Sequence, residues 1–270
     1  MTVGDMLFQC IVDKTKKPVN RLSVMIQKPL GSPYEAPPIL EAVVQFRYAE
    51  PVSRAIQAKL LKRLKSKYAH ERGDQAIGAN VNFEKQEAAF TTEPQTRLSS
   101  SDETDVLIVH ATTLTWSRLA PYVGWDSLSE RVRRDVQSAY EVTGLRKIIQ
   151  LGVRYINRID VPIKGSITRY EDYLTINLSL PAIWDGISNY GWRIERPYPD
   201  LLSLAIVQSA IIAPEIPNHA AFLLDIDIIR KKDIPTKIED IFLLLEKMRN
   251  LKNDIFELSI TDTARESFKR

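Results

Sequence analysis

KIIQLGVRYINRIDV, residues 147–161, is the stretch whose reading decides the fold. Side chains of a β-strand alternate between its two faces. One face then carries Ile149, Leu151, Val153, Tyr155, Asn157, Ile159 and Val161; the other carries Gln150, Gly152, Arg154, Ile156, Arg158 and Asp160. The first set predicts a core face and the second a wetted one. Alternation of this kind belongs to antiparallel sheet with one solvated face, because strands covered on both faces read as unbroken apolar runs. A slip of one residue would bury Arg154 and Arg158, so the register is expected to be firm.

Downstream, residues 162–185 are irregular, with a short turn or helix around Tyr170–Leu174. Three strands are then predicted at Ile187–Arg196, Leu201–Ala213 and Ala220–Arg230. Prolines 197 and 199, then 214 and 217, mark the turns, so these strands extend a meander that begins with 147–161. Ile238, Ile241, Phe242, Leu245, Met248 and Leu251 recur at helical spacing and predict a helix over 238–255, with Thr236 and Glu239 at capping-box spacing. The chain closes on a strand-like piece and a final amphipathic turn.

Upstream, Ser127 and Glu130 have capping-box spacing and Gly144 sits where a helix C-cap prefers glycine. Between them Leu128, Val132, Val136, Ala139 and Tyr140 form a helical stripe. Earlier still, a strand over 39–48 follows Pro37-Pro38, and a helix runs from 52 to about 70 on Ile56, Leu60, Leu64 and Tyr68, ended by Gly73. Strands are predicted at 76–85, 88–98 and 105–116, with a polar turn at 99–104. The fold class is therefore α+β, with antiparallel β-sheets covered by helices in one unit over 37–270. The pattern allows two similar β/α halves, 37–144 and 145–270, although no residue-level repeat supports them. Residues 1–36 read as an N-terminal arm without an assigned function, with Met25 as an alternative start.

Composition narrows the chemistry. Of 270 residues, 44% are hydrophobic and 26% charged, which is ordinary for a globular protein. One cysteine, Cys10, rules out an internal disulfide and a thiolate metal cluster, and fits a reducing cytoplasm. No apolar run reaches the roughly 18–20 residues that span a bilayer, so no membrane partner is expected, and the start lacks a secretory pattern. The ten glycines fall in no phosphate-binding loop. His70, His110 and His219 lack ligand spacing, so no metal and no cofactor are predicted. No nucleophile elbow is present, and no catalytic residue is assigned.

Three functional readings remain. Tyr122 and Trp125, in the loop RLAPYVGWD (118–126), are grouped with Arg154, Tyr155, Asn157 and Arg158 as a surface for a protein or peptide partner, since aromatics and arginine dominate binding energy. The plainer reading has the two loop aromatics plugging the end of the sheet. The outer face of helix 52–70, with Lys59, Lys62, Arg63 and Lys65, offers phosphate contacts to a nucleic acid, although charged helix faces are usually only solvated and a net charge of +3 argues little by itself. Asp225 and Asp227, two apart on one strand with His219 just before it, would serve an enzyme of unrecognised type; the solvated side of an amphipathic strand explains them more simply. Oligomeric state is not legible.

Four segments occur in order: PPILEAVVQFRY (37–48), RLAPYVGW (118–125), LGVRYINRI (151–159) and FELSITDTARESF (256–268). Together they resemble the hallmarks of a sporadically distributed bacterial family of uncharacterised proteins, over about residues 34–270. The resemblance implies no catalytic residues. The family's patchy distribution implies mobile-element cargo, such as a defence or toxin–antitoxin locus.

Overall fold

The computed structural model describes residues 34–82, 87–163, 169–176, 183 and 189–268, without the side chains of 76–82 and 87–91. The predicted arm, apart from residues 34–36, and much of 162–185 lie outside the described residues. Within them, nine strands form one antiparallel sheet: β1 (Ile39–Tyr48), β2 (His70–Asn82), β3 (Glu87–Ser99), β4 (Asp105–Val109), β5 (Thr113–Leu119), β6 (Ile148–Pro162), β7 (Gly191–Tyr198), β8 (Ser203–Ile212) and β9 (His219–Arg230). Their spatial order is β2-β3-β4-β5-β1-β6-β9-β8-β7. Four helices pack on it: α1 (Arg54–Lys65), α2 (Trp125–Thr143), α3 (Ile238–Ser259) and α4 (Asp262–Ser267). None is long and apolar enough to cross a membrane.

The decisive stretch becomes β6, at the centre, paired with β1 on one side and β9 on the other. Leu151, Val153, Tyr155, Asn157, Ile159 and Val161 are buried on one face of it, as alternation requires. Their neighbours on that face are Ala42, Val44 and Phe46 of β1 and Phe222, Leu224, Ile226 and Ile228 of β9. Ile149 departs from the expectation and is exposed. Pairing jumps from Arg47–Gln150 to Tyr48–Ile148, so a bulge passes over Ile149 and turns Ile148 inward in its place.

Polar groups fasten α2 to the sheet. Buried Asp135 accepts from the Tyr68 hydroxyl at 2.5 Å, from Trp116 Nε1 at 3.2 Å and from Arg134 Nε at 3.0 Å. Arg131 donates to the carbonyls of Val106 and Ser117 and pairs with Asp105. A buried network of this kind is stable because nearly every member has a partner.

Several element boundaries differ from the sequence reading. The single strand expected at 105–116 is a hairpin of β4 and β5. Its reversal at 110–112 uses the His110 ring, whose Nδ1 accepts the Thr112 amide at 3.3 Å. Helix α1 stops at Lys65, and both His70 and Gly73 belong to β2. Neither predicted capping box forms. Helix α2 starts three residues early, at Trp125, behind Gly124 at φ +114°, and α3 begins behind Lys237 with no side-chain cap. Gly144 does close α2, at φ +70°, a conformation suited to glycine. Helix α3 runs on to Ser259 and absorbs most of the strand-like piece expected there.

Candidate functional site

No described helix covers the other face of the central strands. Alternation puts Glu41, Val43, Gln45 and Arg47 of β1 there, with Gln150, Gly152, Arg154 and Ile156 of β6 and Asp225, Asp227 and Ile229 of β9. In its middle lies a shallow concavity of ≈ 260 Å³. Gly152 lies at the bottom, where a Cβ would sit 3.7 Å from Gln45 Cβ and 3.9 Å from Asp227 Oδ1. Val43, Ile156 and Ile229 supply aliphatic walls, and Glu41, Arg154 and Asp227 the charges.

The charges are arranged unequally. Arg154 stands opposite Asp227 in the strand register, yet it reaches diagonally to Asp225, with Nε and Nη2 donating at 2.8 and 2.6 Å. Gln208 Nε2 adds a donor to Asp225 at 3.3 Å. Asp227 receives no hydrogen bond among the described residues. Burial pushes its carboxyl up to about 6; the charge on Arg154 pulls it back and the charge on Asp225 adds to the rise.

The six residues grouped as a partner surface are not brought together. Arg154 lies on the uncovered face and is half-exposed. Arg158 shares that face, but its side chain is only 9% exposed, gripping Asp160, Glu215 and the Ala213 carbonyl. It anchors the β8–β9 connection. Tyr155 and Asn157 are each 1% exposed on the opposite, inner face. Asn157 Nδ2 donates to the Leu224 carbonyl at 2.9 Å, and the Tyr155 hydroxyl meets that of Tyr122 at 2.9 Å. Trp125 is buried at the start of α2. The physical reason is the strand period: residues 154 and 155 cannot share a face. The loop aromatics follow Tyr155 inward and plug the core.

The basic stripe survives in part. Lys59, Lys62, Arg63 and Lys65 are exposed on α1, but Arg63 pairs with Glu141 at 2.6 Å and Lys65 with Glu71 at 2.8 Å. Lys67 turns inward, its Nζ 2.5 Å from Ser138 Oγ, and desolvation lowers its pKa. The enzyme constellation does not assemble. His219 shares the aspartates' face of β9 but lies six residues before Asp225, roughly 20 Å along the strand. Its ring contacts the Pro217 carbonyl. Among the described residues no group of three or more metal-binding side chains comes together.

Two features escaped the sequence. The Arg154–Asp225 pair joins residues 71 apart and needs the β6–β9 register to be seen. The glycine inside a strand was its only signal, since such a position often marks a close approach. Lys252 is the second. It is buried on the inner side of α3, with Nζ 3.7 Å from the centre of the Tyr155 ring. Burial pulls its amine down to about 7, Arg249 lowers it further and Glu257 opposes.

No family model matches this sequence, and no curated protein matches it.

Proposed function

We propose that the chain is a non-enzymatic binding or regulatory protein that recognises a protein or peptide partner on the uncovered face of its sheet. What supports this reading is the concavity at the centre of that face, which mixes aliphatic walls with half-exposed Arg154. The concavity is open and shallow. Enzyme sites enclose their substrates and gather convergent polar groups; here the best-placed carboxylate, Asp225, is already held by Arg154 and Gln208. A bacterial source and a mobile defence or toxin–antitoxin locus are part of the proposal and rest on the motif resemblance alone; the cytoplasm rests on the single cysteine.

The test is quantitative co-purification from the native host with three tagged chains. Wild type and the α1 double variant Lys59→Glu/Lys62→Glu are expected to retain the same partner, whereas Val43→Gln/Ile156→Gln loses it. Retention by the sheet variant, with nuclease-sensitive loss in the α1 variant, would transfer the function to nucleic acid binding through α1.

A further inference from the structure

Hydrogen-bonding capacity in the concavity is lopsided. Among the described residues that line it the one cation is Arg154, which already gives Nε and Nη2 to Asp225; Arg193 of β7, near enough to act on Asp227, is paired with Glu195. Gln45 donates Nε2 to Thr115 Oγ1 at 3.0 Å, which leaves its amide oxygen as an acceptor. Among the described residues Glu41 makes no ion pair and Asp227 has no donor. Arg154 has spent two of its five N–H groups, while the two carboxylates that accept nothing among the described residues, Glu41 and Asp227, leave negative charge in excess around it. Beside them is a missing side chain: Gly152 leaves room between Gln45 and Asp227 that any larger residue would fill.

We infer that the concavity receives an arginine side chain of the partner polypeptide, its guanidinium donating to Asp227 and its methylene stem lying over Gly152 against Val43, Ile156 and Ile229. The inference rests on the binding function proposed above and names the chemistry that the partner presents there. Arginine suits the place better than lysine. Its planar fork gives a carboxylate two parallel hydrogen bonds, and it sheds water more readily than an ammonium group against aliphatic walls. Neighbouring Asp225 already accepts that fork from Arg154, two residues along the same strand. At ≈ 260 Å³ the space lies below the roughly 300–1,000 Å³ of small-molecule sites. It suits one long side chain delivered by a larger body.

The pH behaviour follows from what faces Asp227: Arg154 from β6, Asp225 on its own strand, Arg193 from β7 and, across the concavity, Glu41 of β1. With the carboxyl set near 6, acidification through that value discharges the acceptor and weakens the contact.

The experiment titrates the isotope-labelled full chain with the capped tripeptide Ac-Ala-Arg-Ala-NH2, followed by amide NMR, beside the same peptide with citrulline. Arginine is expected to shift amides around Gly152 and Asp227 and to bind roughly tenfold or more tightly than the uncharged isostere. Asp227→Asn abolishes that preference. Because this variant removes a desolvated charge that has no donor, its fold is expected to hold, so lost binding reports the contact. Gly152→Ala, whose Cβ meets only ordinary contacts, weakens the arginine peptide by narrowing the space. Equal binding of both peptides, unchanged binding in Asp227→Asn, or no shift at tens of millimolar peptide overturns the inference. A native partner that survives Asp227→Asn and leaves only with Val43→Gln/Ile156→Gln also overturns it, while keeping the face as the binding surface.

Discussion

Asp135 and Asp227 are carboxylates on opposite sides of the same sheet, and they are treated in opposite ways. Asp135 is fully buried on the inner side of α2 and accepts from a tyrosine, a tryptophan and an arginine. Asp227 is less buried, yet no donor among the described residues reaches it, and its carboxyl rises to about 6. Depth alone therefore does not mark a functional acid. A buried carboxylate with all its partners holds elements in place, whereas a partly desolvated one without them is available to something from outside.

The largest expected effect breaks the satisfied side. Asp135→Ala strands the Tyr68 hydroxyl, the Trp116 indole and neighbouring cations, and is expected to cost about 3–5 kcal/mol in urea unfolding. A loss under 1 kcal/mol would show that the network is not what fastens α2. Lys252 sharpens the contrast with an inner group whose charge is disfavoured by burial, against an aromatic ring. Its folded pKa of about 7 lies below the unfolded value, so the unfolded chain binds the extra proton between about 7 and 10.4. Stability should therefore rise with pH across that window. Lys252→Met should stabilise the fold at neutral pH by on the order of 3 kcal/mol and flatten the rise; denaturation midpoints at pH 6.5, 8 and 9.5 decide it.

Asp227→Asn comes next. Its raised folded pKa means that the native state holds a proton longer than the unfolded chain, so stability falls as pH climbs from about 4 to about 6. At pH 7 the variant should be more stable by about 1 kcal/mol, reduced from the full linkage value because the group is partly solvated. Destabilisation would reveal a donor for Asp227 and erase the comparison. The smallest effect belongs to Arg63→Ala, which removes an exposed pair with Glu141 and should change the unfolding midpoint by no more than a few tenths of a kcal/mol.

What the sequence conveyed follows from how local each signal is. The 147–161 stretch announced its two faces because its period of two holds from Gln150 to Val161, and the helical stripes of α2 and α3 were equally plain. The β4–β5 reversal was hidden because His110, Ala111 and Thr112 include no glycine or proline to punctuate it. The capping boxes had the right residues at the right spacing, but α2 begins at Trp125 to seat the indole in the core, and packing outweighs a cap worth about 1 kcal/mol. Arg154 was legible as outward-facing. Its choice of Asp225 over Asp227 was not, because that depends on a register set between distant strands. Lys252 was passed over because a lysine beside an apolar stripe is usually solvent-facing.

The spatial order of the strands bears on how the chain is made. Strand β1 sits at the middle of the finished sheet, but its second neighbour, β6, is encoded about a hundred residues later. On the ribosome β1 can pair with β5 soon after Leu119 emerges. Its other edge, with Val44 and Phe46 beside it, then stays open until Pro162 has been synthesised. For those forty-odd residues the nascent chain presents a bare apolar margin, which is the kind of surface that trigger-type chaperones shield and that premature release would leave free to aggregate.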